Sequence, residues 1–131
     1  MVLTNDVQKW GPWAGKIITG AESKFPPAIY AVDTNGSALA FNLNIEPEDF
    51  DIIPPYQDLY CTDQTAGRLL KVSRDVFTNY WGDLLVTQEG AISGAKLFIV
   101  HWDAGTSNFV TRPIPFTNWF EHVTFAPVSL P

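Results

Sequence analysis

Between Pro47 and Ser73 apolar and polar residues alternate in three short runs, each closed by turn-forming residues. Asp49-Phe50-Asp51-Ile52 has the period of two that suits a half-buried strand. Pro54-Pro55 stops it, because proline has a fixed φ and no N–H for a ladder. Asp58-Leu59-Tyr60-Cys61-Thr62-Asp63 is a second β-rich run, Gln64-Thr65-Ala66-Gly67 a second turn, and Arg68-Leu69-Leu70-Lys71-Val72 a third run. Three strands joined by tight turns predict a β-meander. A lone meander is marginal in water, so more sheet must pack against it.

The same pattern recurs, weaker, on both sides. Gly15 to Glu22, Ala28 to Val32 and Ser37 to Asn44 predict one meander, with Asn35-Gly36 supplying the positive φ of its hairpin. Ser73 is placed to cap a helical turn over Arg74–Thr78 that ends near Trp81-Gly82. Gly82 to Glu89, Lys96 to Trp102 and Asn108 to Ile114 predict another meander, and Phe120 to Pro127 opens a fourth unit. Successive openings at Gly15, Glu48, Gly82 and Glu121 lie 33, 34 and 39 residues apart. Such spacing predicts an all-β array of repeated antiparallel meanders, a partial or self-assembling β-propeller, with a β-sandwich or barrel as the alternative. The units run over 15–46, 47–81, 82–119 and, in part, 120–131, behind an N-terminal arm, 1–14, that carries Trp10 and Trp13.

Composition narrows the partners. With 131 residues there is enough chain for one cored domain. A net charge of −6 argues against nucleic acid. No apolar run approaches the roughly 20 residues that span a bilayer, so no membrane partner is expected. No basic-then-apolar leader opens the chain, which predicts that an export signal has been removed or never existed. The lone Cys61 excludes an internal disulfide and, at a strand position, reads as a structural thiol.

Pro47, Leu59-Tyr60-Cys61-Thr62-Asp63 and Arg68-Leu69-Leu70-Lys71 together resemble the NHL-type propeller repeat, with partial matches at Ala28–Asp33 and Leu97–Asp103. The chain from Gly15 is also similar to parts of larger bacterial propeller proteins of unassigned function, and that resemblance implies a secreted or periplasmic setting. Such propellers have around six blades, against about three and a half units here. An open arc leaves its end blades uncovered. It therefore predicts homo-oligomeric ring closure, a longer parent chain, or a different compact closure.

In a propeller the first strand of each blade lines the channel. Glu48, Asp49 and Asp51 are then expected to face their repeat counterparts Glu121 and His122, an oxygen-rich set suited to calcium, with His122 adding transition-metal character. Alternatively Glu46 and Glu48 are solvated turn residues and one Asp caps backbone N–H groups. The spacing matches no EF-hand or zinc pattern.

Neither a Gly-x-Ser-x-Gly elbow nor a glycine-rich phosphate loop is present. Cys61 with His101 or His122 offers a Cys-His pair, and Glu48 with Glu121 a carboxylate pair for glycoside hydrolysis if about 5 to 10 Å apart. Trp81, Trp102 and Trp119 fall near strand ends, where indoles stack on sugar rings, so they are candidate ligand-binding residues; alternatively they plug gaps between blades. The sequence therefore predicts a binding module for a small molecule, a carbohydrate or calcium. A metal-dependent lactonase-like hydrolase and a propeller-type sugar dehydrogenase are the enzymatic alternatives that the resemblance implies.

Overall fold

The computed structural model of the chain describes residues 1–21, 26–64, 66–88, 97–116 and 120–127. Within them ten strands form three antiparallel sheets. The first sheet is β1 (Ile17–Ala21), β2 (Ala28–Val32) and β3 (Ala38–Phe41), in that order. Its β2–β3 hairpin turns at Asn35-Gly36, where Gly36 takes φ 84° and Asn35 Oδ1 accepts from Ser37 N. The central sheet runs β4 (Pro47–Ile52), β7 (Leu84–Gln88), β8 (Leu97–Asp103), β9 (Asn108–Ile114). The third is β10 (Phe120–Pro127), β5 (Gln57–Asp63), β6 (Arg68–Val72).

Two cores explain the stacking. Leu84, Val86 and Val100 on one face of the central sheet pack with Ile18, Ile29 and Ala31 of the first sheet. Leu85, Leu97, Ile99 and Ile114 on its other face pack with Leu59, Cys61, Val72 and Phe120 of the third. β7 is buried at all five positions, so its unbroken Leu-Leu-Val run is the signature of a strand covered on both faces. Each fully buried aliphatic contributes about 1.5–3 kcal/mol relative to exposure. The arm completes the first core. Val2 bridges Ile17, a short helix α1 (Val7–Trp10) is capped by Asp6, and Trp10 and Trp13 are buried.

Strand pairing departs from the expected consecutive meanders. All three strands between Pro47 and Val72 form, but β4 does not pair with β5. It pairs with β7, and β10 pairs with β5. The reason lies in what β7 must bury. Phe50 and Ile52 extend the apolar face of Val86 and Leu84, which they oppose in register. β7 thereby gains a partner on each edge. Beyond Pro54-Pro55, Tyr56 at φ 63° opens the path into the other sheet. The fourth unit is correspondingly no separate start, because Phe120–Pro127 supplies the edge strand of the β5–β6 sheet. Ser73 caps a 3₁₀ turn over Arg74–Phe77, accepting from Asp75 N.

The edge strands β1, β4 and β10 lie side by side. At Gly20 a Cβ would stand 2.7 Å from the Pro47 carbonyl oxygen, so β1 and β4 approach closely only because that residue is glycine.

Candidate functional site

β8 and β9 extend past the end of β7 as a two-stranded ribbon, and alternation sends neighbouring residues to opposite faces. Trp102 lies on the face of the first core, across from Phe109, and His101 on the face of the second. Each lines its own cleft.

The Trp102 cleft, about 370 Å³, is lined by Phe41, Asn42, Trp102, Ser107, Asn108 and Phe109, among others. Three rings, Phe41, Trp102 and Phe109, line its wall, and Trp13 backs them from the core. Trp13, fully buried, stacks on Phe109 at 3.9 Å and meets Phe41 edge-on at 5.6 Å, while Trp102 meets Phe109 at 4.9 Å. Edge-to-face and offset pairs of this kind add about 0.5–1.5 kcal/mol each beyond burial. Gly11, at φ 52°, seats the indole: a Cβ there would fall 2.2 Å from the Trp102 ring.

The rim is polar and internally tied. Asn42 Oδ1 accepts from Asn44 N, holding Asn44 at φ 58°. Asn108 Nδ2 donates to the Thr106 carbonyl, and Asp103 Oδ1 accepts from Gly105 N and Thr106 N. Hydrogen bonds from Thr106 and Gly105 hold the Asp103 carboxyl below its ordinary range. Among the described residues, Asn42 Nδ2 and Asn108 Oδ1 have no protein partner.

The His101 cleft, about 250 Å³, is lined by Asn79, Tyr80, Asp83, Ile99, His101 and Arg112. His101 Nδ1 lies 2.8 Å from Asp83 Oδ1. A smaller recess of about 180 Å³ holds Trp81, 4.8 Å from Tyr56, together with Arg74, Asp75 and Thr78. A shallow groove with Asp63, Arg68 and Glu121 carries no aromatic residue.

The expected metal ligands are only partly brought together. A bulge between Glu121 and Val123 sets His122 at φ 50° as the unpaired residue. It turns toward β4, where Nδ1 lies 3.8 Å from Asp49 Oδ2. Both side chains are exposed enough that such a pair is worth little. Asp51 lies near Asp49, with its carboxyl raised by burial and lowered in part by hydrogen bonds from Ile52 and Phe125 backbone. Glu48 and Glu121 add no third donor: among the described residues no group of three or more His, Cys, Asp or Glu is arranged to hold a metal ion.

Cys61 is fully buried, and burial together with the Asp63 charge pushes its thiol up to about 11. That is the reverse of what a nucleophile needs. His101 is held by Asp83 rather than by Cys61. Trp81 and Trp102 both line clefts. Trp119 lies outside the described residues. The Asp83–His101 pair and Arg112 were not singled out from sequence. Their juxtaposition depends on strand register, and Thr-Arg-Pro at 111–113 carries no motif.

No family model matches the chain, and searches of curated proteins and of solved structures return no match either.

Proposed function

We propose that the protein is a non-catalytic binding module that takes a small carbohydrate in the Trp102 cleft. The observation that carries this reading is the three-ring wall of Phe41, Phe109 and Trp102, backed by the buried Trp13, beside two side-chain amides with unused hydrogen-bonding capacity. Aromatic faces take the C–H face of a sugar ring, and amides read its hydroxyls. Size and lining together favour this cleft: at about 370 Å³ it falls inside the roughly 300–1,000 Å³ range of ligand pockets, the Trp81 recess falls below it, and the larger Asp63–Arg68 groove, about 440 Å³, has no aromatic ring. The rigidity of the wall keeps the ordering cost of binding small.

The scaffold reading is a propeller-like arc of three blades, with β1, β4 and β10 as inner strands. Its support is the face-to-face packing of three sheets around two cores, together with the NHL-type resemblance. Fold alone assigns no activity, and the donor geometry favours neither calcium nor a metal-dependent hydrolase.

The test is titration of the full chain with the methyl glycosides of glucose, galactose, mannose and N-acetylglucosamine, followed by amide shifts in NMR. One of them is expected to shift the Asn42 and Asn108 side-chain amides saturably. Trp102→Ala should weaken that response at least tenfold, about 1.4 kcal/mol. Asn108→Ala, which leaves the aromatic wall in place, should weaken it as well. If no sugar moves these amides at tens of millimolar, roughly a hundredfold above a Kd worth about 5 kcal/mol, the proposal fails.

A further inference from the structure

We infer that the cleft on the opposite face of the β8–β9 ribbon is a second site, which binds a small oxyanion, a carboxylate or a phosphate, between Arg112 and His101. Three observations converge on it.

The first is a fixed imidazole. Register pairs Leu84 with Val100, which brings Asp83 opposite His101, and the Asp83 carboxylate meets Nδ1 at 2.8 Å. Asp83 is itself anchored: its N–H donates to the Tyr80 carbonyl at 3.0 Å, and its carbonyl accepts from Ile53 N at 3.0 Å. With Nδ1 engaged, Nε2 is the ring nitrogen left for a ligand. The second is an uncommitted guanidinium. Arg112 pairs across the ladder with Ile99, on the same face as His101, and lines the cleft with it. Among the described residues Lys16, Arg68 and Lys71 pair with Asp33, Asp63 and Asp58, Lys9 lies over Trp10, and Arg74 donates to the Tyr56 carbonyl. Arg112 has no such partner. The third is size. About 250 Å³ lies under the lower bound for drug-sized ligands, yet it accommodates a small anion with its water.

The charges fix the chemistry. Arg112 is the permanent cation of the cleft lining, and a protonated His101 beside Asp83 adds a second. Asp103, two residues along the same face, has its carboxylate occupied by the Gly105 and Thr106 N–H groups. Tyr80 and Asn79 offer neutral donors. Guanidinium presents parallel N–H groups that match two oxygens of one anion, and the imidazolium Nε2–H supplies a third donor.

The test follows the His101 ring resonances of the full chain during titration with inorganic phosphate and, separately, with acetate. Saturable shifts with both anions support a general oxyanion site, and shifts with phosphate alone support the site and restrict its source to phosphoryl groups. Arg112→Lys should weaken binding about tenfold by losing the planar fork, and Arg68→Lys should leave it unchanged. His101→Gln should weaken acetate binding, read from the Arg112 side-chain resonances. The proposal is overturned if neither anion gives a saturable shift, or if Arg112→Lys and wild type bind alike.

Discussion

Asp58 shows at a single residue how this fold converts charge into tertiary order. It is buried at the start of β5. One carboxylate oxygen accepts from Arg74 N at 2.9 Å, and the other meets Lys71 Nζ at 3.0 Å. The Arg74 hydrogen bond, and then Lys71, hold the carboxyl below its ordinary value, while Asp58 in turn raises Lys71. A depressed carboxyl contributes stability that is present above the ordinary value of about 3.9 and is lost as pH falls through the lower folded value. Asp58→Asn keeps an acceptor for Arg74 but loses the charge. Its melting temperature is expected to lie a few degrees below wild type at neutral pH, with the gap closing as both are acidified. Thermal melts across that range measure it. An undiminished gap at low pH would assign the loss to packing instead.

Legibility at this scale followed locality. Asn35-Gly36 and Ser73 were readable because their partners lie within two residues: Asn35 bonds Ser37, and Ser73 bonds Asp75. Trp102 and Trp81 were readable by residue type. The Asp83–His101 pair was not, since its partners lie 18 residues apart and meet only through register.

Among the elements, β7 and β8 carry the greatest load. Their residues serve both cores, so removing one side chain is felt in two layers. Ile99→Ala, at a fully buried position, is expected to cost about 2–5 kcal/mol. Leu39→Ala, at a position 55% exposed, should stay within about 0.5 kcal/mol. Urea unfolding compares the two directly. The amides of Leu85 and Ile99 should also exchange more slowly than those of the edge strands β3 and β6.

The strand positions were legible because period-two alternation and Pro or Gly punctuation are local signals. The pairing was not. Consecutive strands pair about two-thirds of the time, and that prior joined β4 to β5. The unbroken Leu84-Leu85-Val86 run was the one residue-level sign that β7 is flanked and covered rather than an opening edge.

At the scale of the whole molecule the chain crosses between the central and third sheets three times, at β4 to β5, β6 to β7 and β9 to β10. It crosses from the first sheet only once, between β3 and β4. The first sheet is a sequence-local unit bound to the rest by one core and the arm. The other two are stitched into one body, and neither holds its full set of strands without the other's segment of chain. The two clefts inherit this arrangement, because the ribbon between them grows out of the sheet that is buried on both sides.

The stitching sets a timetable for synthesis. As the chain leaves the ribosome, the first sheet emerges whole but still lacks its core partners Leu84, Val86 and Val100. β4 must wait for β7, and β5 remains without its inner neighbour until Phe120–Pro127 has emerged. Nascent chains halted before Phe120 should therefore keep their 47–88 segment open to protease. Chains extended far enough to free Pro127 from the exit tunnel should become resistant together, in a single step. A gradual gain of resistance with length would mean that the central sheet forms without waiting. On this topology the β5–β6 sheet stays unfinished until Phe120–Pro127 arrives, and that strand is its latch.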